Sequence, residues 1–160
     1  MSIKTIALAV AAGTPAAVPT AKYAICLAKI IGARVAGIYV VDERSVTELL
    51  RNRVFVEIEA REYEKELKDQ GKILLERIGR MAESKSVPFE PFLLSGAIHR
   101  MVVDKAAEIG ADLLVMGKIR ELESRKEIFY DPGEQIFRES PCQVVIVQNS
   151  AAAEALFKEI

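Results

Sequence analysis

The chain has 160 residues, of which 51% are hydrophobic and 28% are charged, and its formal net charge is −1. This length predicts one globular domain that buries roughly 70% of its unfolded surface without a metal or disulfide. The balanced charge argues against nucleic-acid binding, the single histidine argues against a histidine-based metal site, and no apolar run approaches the ~18 residues of a membrane helix.

The first quarter of the chain predicts two strands joined by a helix. Strand Ile3–Val10 is followed by Gly13 and two prolines, which lead into a helix because proline suits a first turn. Gly32 ends this helix, and the second strand is Arg34–Val41. The predicted apolar face of the helix repeats at i, i+3, i+4 and i+7 and consists of Ala24, Leu27, Ala28 and Ile31.

A long, charge-rich connection, Asp42–Ser86, follows the second strand. Its second half predicts a helix with apolar residues on one face, namely Tyr63, Leu67, Leu74, Ile78 and Met81. Its first half is ambiguous, because Val54, Val56 and Ile58 alternate as in a strand whereas the leucines before them suit a helix. We favour a helix with a break near residue 53.

The remaining chain predicts three more strands with helices between them. In order, the elements are strand Phe89–Leu94, helix Ala97–Ile109, strand Asp112–Met116, loop Gly117–Tyr130, helix Pro132–Ser140 and strand Gln143–Val147. The tail after these elements predicts a short helix that packs on the body of the protein or on a partner subunit. We therefore expect an α/β domain over residues 1–148 and a C-terminal tail over 149–160.

Five strands with helical crossovers predict an open, doubly wound parallel sheet with helices on both faces. In such sheets, ligands bind beyond the carboxyl ends of the strands where the strand order reverses. If the order is 3-2-1-4-5, the crevice is lined by residues 11–13 and Gly117–Arg120, and Val41 lies beside it.

The segment GADLLVMG, followed 24 residues after Gly117 by PC-x-VVIV, resembles the C-terminal signature of the universal stress protein family. KIIGARVAGIYVVD and VPFEPFLLSGAIHRMVVDKAAEIG also fall where that family places its corresponding elements, so the resemblance spans residues 3–147. The resemblance implies a five-stranded fold of the adenine nucleotide alpha hydrolase type, a homodimer through the last strand, and a role in stress adaptation. In one branch it implies ATP binding through a G-x2-G-x9-G-[S/T] loop, with an aspartate after the first strand.

This chain keeps only the first glycine of that loop, Gly117. Arg120, Tyr130 and Asp131 occupy the other three loop positions, and Ala11 stands where the aspartate is expected. Glycines let backbone N–H groups approach a phosphate, and bulky side chains prevent this approach. Asp131-Pro132-Gly133-Glu134 also resembles a capping box, whose own carboxylate would occupy the N–H donors of the helix and repel phosphate.

We therefore favour a universal stress-type regulatory protein that has no catalytic residues and binds no cofactor. Two alternatives remain: an altered ligand site, in which Lys118 or Arg120 replaces the lost backbone contacts, and ATP or AMP binding as a nucleotide-dependent switch. The residues that would form such a site are Ala11, Val41, Gly117, Lys118, Arg120 and Asp131.

We expect this protein to act through other proteins, which the sequence does not name, and through a homodimer. Strand Gln143–Val147 would be an apolar sheet edge, which is an aggregation hazard unless it is paired. The two cysteines form no CxxC pattern and are expected as small buried residues in a reducing compartment. The short apolar run at the N-terminus is interpreted as the first strand rather than as a signal peptide, and no run has the length of a membrane helix, so we expect a cytoplasmic protein.

Overall fold

In the computed structural model, which describes residues 2–11, 16–53, 56–118 and 132–160 (without the side chains of 44 and 45), five parallel strands form one sheet. The strand order is β3-β2-β1-β4-β5, which confirms the predicted fold. The strands are β1 (Thr5–Val10), β2 (Arg34–Asp42), β3 (Phe89–Gly96), β4 (Leu113–Gly117) and β5 (Gln143–Val147). The helices are α1 (Ala17–Ile31), α2 (Glu43–Arg51), α3 (Glu57–Ser84), α4 (Ile98–Glu108), α5 (Pro132–Glu139) and α6 (Ser150–Glu159).

The sheet has a separate apolar core on each face, because successive side chains of a strand point to opposite sides. Helices α1, α3 and α6 cover the face to which Ile6, Leu8 and Val115 point. Helices α4 and α5 cover the other face, where Ala7, Leu114 and Met116 are buried. Within the described parts of the chain, no helix is both long and apolar enough to cross a membrane.

The connection after β2 is helical and broken where the sequence predicted. Helix α2 ends at Arg51, Arg53 adopts a left-handed φ of 55°, and α3 begins at Glu57. Val54 lies outside the described residues, and the side chains of Val56 and Ile58 are 62% and 71% exposed. Their alternation with polar residues therefore does not mark a strand.

Helix α1 ends as predicted at Gly32, whose φ is 74° and whose N–H donates to the Ala28 carbonyl. Its buried face differs in part from the predicted one. Ala24 and Ala28 are buried, but Ile25 is fully buried as well and Ile31 is 42% exposed. Ile31 lies in the last turn of the helix, where a side chain on the apolar face can still be exposed to solvent.

The C-terminal tail forms α6, which packs against α1. Asn149 caps its first turn by accepting a hydrogen bond of 2.9 Å from the Ala152 N–H. Glu154 forms an ion pair with Lys22 of α1. The ring of Phe157 lies 5.2 Å from Lys22 Nζ and 4.6 Å from Lys85 Nζ, both measured to its centroid. The tail thus packs on the body of the same chain.

Asp112 joins β1 to β4 at the amino end of the sheet, away from the end where ligands bind. Its Oδ2 accepts hydrogen bonds from the backbone N–H groups of Lys4 (2.9 Å) and Thr5 (3.1 Å), and its own N–H donates to the Thr5 carbonyl. The hydrogen bonds from Lys4 and Thr5 lower the pKa of the Asp112 carboxyl. The aspartate of the ADLLVMG segment therefore has a structural role.

Of the two glycines within α3, Gly71 lets this helix pack closely on β2 and β3. A Cβ on Gly71 would overlap the Tyr39 ring, whereas a Cβ on Gly79 would lie 3.4 Å from the Phe89 ring, at an ordinary contact distance. The Phe89 ring itself lies against Gly37 of β2, where a Cβ would come within 2.5 Å of it. Glycine is thus required at 37 and 71, and only tolerated at 79.

We expect Gly71→Ala to lower the free energy of unfolding by ~1–2 kcal/mol, since overpacking against Tyr39 exceeds the gain in helix propensity. Gly79→Ala is the matched control in the same helix, and it should raise the free energy of unfolding by up to ~1 kcal/mol. Urea denaturation followed by circular dichroism measures both. Equal effects of the two substitutions would contradict the steric role of Gly71.

Candidate functional site

The carboxyl ends of β1, β2 and β4 border a cavity of about 300 Å³, which we name the switch-point cavity. It lies where the strand order reverses between β1 and β4, because α1 leaves β1 on one face while α4 and α5 cover the other. Its described lining consists of Ala9, Val10, Ala11, Ala16, Ala17, Thr20, Val40, Ile98, Val102, Met116, Gly117, Lys118, Pro132, Gly133 and Ile136.

The described walls of this cavity are almost entirely apolar. Thr20 and Lys118 alone among these lining residues have polar side chains, and Lys118 is exposed to solvent. None of these residues is a carboxylate, a histidine or a cysteine. The described walls therefore offer an apolar surface for contact with a ligand, but few groups that could bind a charged one.

The predicted site residues are brought together only in part. Ala11, Gly117 and Lys118 line the switch-point cavity. Val41 does not, because its buried side chain points to the core under α1 and α3, and its neighbour Val40 lines the cavity instead. Arg120 and Asp131, and with them Tyr130, lie outside the described residues.

Gly117 lies in a closely packed position and has no unusual backbone conformation. Its φ is not in the left-handed region. A Cβ at this position would come within 3.2 Å of Thr20 Oγ1 and 3.8 Å of the Ala16 Cβ. The glycine therefore lets α1 approach the end of β4.

Thr20 is a cavity residue that the sequence did not reveal. It is 2% exposed, and its hydroxyl oxygen has no hydrogen-bond partner among the described residues. An unsatisfied buried hydroxyl costs about 1–3 kcal/mol. In the sequence, a threonine after proline in the first turn of a helix is ordinary, so no local signal distinguishes it.

The start of α5 borders the cavity through Pro132 and Gly133. Glu134, the predicted last member of the capping box, accepts a hydrogen bond of 2.6 Å from Arg138 one turn later. Glu134 lies in the first turn of α5, where its negative charge partly offsets the positive end of the helix dipole.

No described side-chain cluster outside the cavity suggests metal or nucleophilic chemistry. The described residues contain no group of three or more histidine, cysteine, aspartate or glutamate side chains that could hold a metal ion. Cys26 and Cys142 are unpaired, and burial raises the pKa of both thiols, which disfavours the reactive thiolate.

Comparison with known proteins gives one consistent family. The model of the universal stress protein family matches residues 2–148. A universal stress protein of Methanocaldococcus jannaschii is 28% identical over 136 residues, which are 85% of this chain and 77% of that protein. UspA from Lactobacillus plantarum has a TM-score of 0.72 at 15% identity, covering 92% of this chain and 99% of its own. A universal stress protein from Archaeoglobus fulgidus, solved in complex with dAMP, has a TM-score of 0.64 at 16% identity, covering 92% and 100%.

Removing the unpartnered hydroxyl should stabilise the ligand-free protein. We expect Thr20→Val to raise the free energy of unfolding by ~1 kcal/mol, since it keeps the shape of the side chain and removes the desolvation cost. The matched control is Thr5→Val, which removes the other buried hydroxyl, one that accepts a 3.0 Å hydrogen bond from Arg34 Nε.

Thr5→Val should instead lower the free energy of unfolding by ~1 kcal/mol, because a formed hydrogen bond is lost. Denaturant titration in the absence of added ligand measures both variants. A destabilised Thr20→Val protein would show that the Thr20 hydroxyl has a partner.

Proposed function

Because the chain belongs to the universal stress protein family, we propose that it is a non-catalytic regulatory protein that acts through dimerisation and protein contacts. We further propose that it does not bind ATP in the manner of the nucleotide-binding branch of the family. The apolar lining of the switch-point cavity, with Ala11 at the end of β1, is the observation that carries the second proposal.

The charge of the cavity supports this proposal. A triphosphate carries several negative charges, which need cations and oriented N–H donors close by. Lys118 is the one cationic side chain among the described lining residues, and Ala11 offers neither charge nor hydrogen bond through its side chain. The sequence adds Arg120, Tyr130 and Asp131 at loop positions where the family's phosphate loop has small residues.

The chemistry of the side chains supports a role other than catalysis. Acid–base or nucleophilic catalysis needs a titratable or nucleophilic group beside the substrate. The described walls of the cavity offer Lys118 and the Thr20 hydroxyl, with no carboxylate or imidazole to activate either. The cytoplasmic location stays a prediction, which the two unpaired cysteines support.

The second candidate is a nucleotide-dependent switch that binds ATP or AMP. It is favoured by the similar fold of the Archaeoglobus fulgidus protein in complex with dAMP. It is also favoured by the position of the switch-point cavity, since the carboxyl ends of parallel strands are where doubly wound proteins bind nucleotides.

Calorimetry separates these two candidates. We expect no saturable heat on titrating the protein with ATP or AMP, with or without Mg²⁺, at concentrations up to 1 mM (about −4 kcal/mol of binding free energy). We also expect no absorbance at 260 nm from released nucleotide when the purified protein is denatured. Micromolar binding of either nucleotide would overturn the first candidate in favour of the second.

The proposal of a homodimer through β5 rests on the difference between the two edges of the sheet. Strand β5 is an edge strand of five residues without proline, and the side chains of Val144, Val145 and Ile146 are only half-buried. An apolar edge strand of this kind is a template for pairing with a second chain.

The opposite edge, β3, is protected by Pro91. Val35 donates its N–H to the Pro88 carbonyl, so residues 88 and 90 direct their backbone polar groups toward β2 and residue 91 faces outward. Pro91 has no N–H to offer there, and proline is a common means of preventing edge-to-edge pairing. Association through β5 is therefore favoured over association through β3.

We expect the protein to be a dimer at micromolar concentration in size-exclusion chromatography with light scattering. Val145→Lys should give a folded monomer, because a lysine on the edge strand opposes pairing. Leu93→Lys places the same charge on β3 and is the matched control, which should remain dimeric.

Circular dichroism shows whether each variant is folded, and Val145→Thr replaces Val145→Lys if lysine unfolds the chain. A monomeric wild-type protein, or a dimer lost through Leu93→Lys and retained in the Val145 variant, would contradict the β5 interface.

A further inference from the structure

We propose that the switch-point cavity binds a small, uncharged molecule with an apolar body and a single hydrogen-bonding group, which contacts the Thr20 hydroxyl. This goes beyond the proposed function, which assigns no ligand to the cavity. It is independent of the dimer, because β5 contributes none of the described lining residues.

The volume of the cavity sets the size of this molecule. At about 300 Å³, it is at the lower limit of the range for ligand sites. A dry apolar cavity of about 150 Å³ is already sufficient for benzene in another protein. The switch-point cavity therefore has space for a molecule of one or two rings.

The described lining favours a ligand whose body is apolar and uncharged. The side chains of Val40, Ile98, Val102, Met116 and Ile136 belong to the core under α4 and α5, and all of them line the cavity. An ion placed among them would lose its hydration without a partner. Lys118 does not change this conclusion, because its side chain is exposed to water.

Among the described lining residues, Thr20 has the one buried polar side chain. Its hydroxyl lies near Gly117, enclosed and without a partner among the described residues. Rotating the side chain about its Cα–Cβ bond therefore costs no described hydrogen bond. A ligand that offers a donor or acceptor would satisfy a group that the ligand-free protein leaves unsatisfied.

The test compares two probes of nearly equal shape, phenol and toluene, which differ by a hydroxyl in place of a methyl. Titrations followed by calorimetry or ligand-observed NMR give both dissociation constants for the wild-type protein and for Thr20→Val. We expect saturable binding of both probes, and a ratio of toluene to phenol dissociation constants that falls about tenfold in Thr20→Val. The hydration of the free probes is the same in both sets of titrations. It therefore cancels when the ratio for the wild-type protein is compared with the ratio for Thr20→Val.

Two further variants locate the site and control for the substitution. Ala9→Ile fills the cavity and should abolish the binding of both probes. Thr47→Val makes the same change at an exposed position of α2 and should leave both dissociation constants unchanged.

The proposal is overturned if neither probe binds at millimolar concentration, if Ala9→Ile still binds them, or if Thr20→Val leaves their ratio unchanged. ATP binding would contradict the proposed function, and it is measured separately from the phenol and toluene titrations. The failure of one proposal is therefore distinguishable from the failure of the other.

Discussion

The reversal of strand order between β1 and β4 is the constraint on which the rest of this structure depends. Because β2 lies on one side of β1 and β4 on the other, the helices that follow the strands cover opposite faces of the sheet. Their first turns therefore diverge at the carboxyl end, and the switch-point cavity is the space that they leave. Since the strands are buried on both faces, the side chains at their ends are core side chains, and the described walls of the cavity are largely apolar for the same reason.

The sequence was sufficient to predict the sheet, because uninterrupted apolar strands separated by helical segments allow few topologies. The uninterrupted apolar character of the strands also prevented a prediction of which residue at the end of a strand faces the cavity. In β2 both faces are apolar, so the sequence has no alternation that fixes which side chain points where. Val41 was predicted beside the site, yet Val40 lines it. The two residues are adjacent in β2, so their side chains point to opposite faces of the sheet.

The glycines reveal a second limit of sequence-based prediction. Gly117 was identified from its spacing to Pro141, but the side chain that packs most closely on it is that of Thr20, which is 97 residues away in the chain. Gly71 and Gly79 look alike within the sequence of α3, and only the position of the Tyr39 ring distinguishes them. A glycine in a sequence indicates that little space is available or that the backbone conformation is unusual. The neighbouring side chain that limits the space is known only from the tertiary structure.

The cavity and the proposed dimer edge lie on neighbouring strands, β4 and β5. Met116 and Gly117 of β4 line the cavity and pair with Ile146 and Val147 of β5. This contact does not by itself make the two sites communicate, because a ligand shifts an association equilibrium only if it binds monomer and dimer with different affinity. The close packing of Thr20 against Gly117 is where such a difference could arise, since any rotation of Thr20 changes the packing of α1 on the end of β4. Coupling between ligand and dimer therefore reduces to one measurable quantity, the change in dimer affinity when the Thr20 hydroxyl acquires a partner.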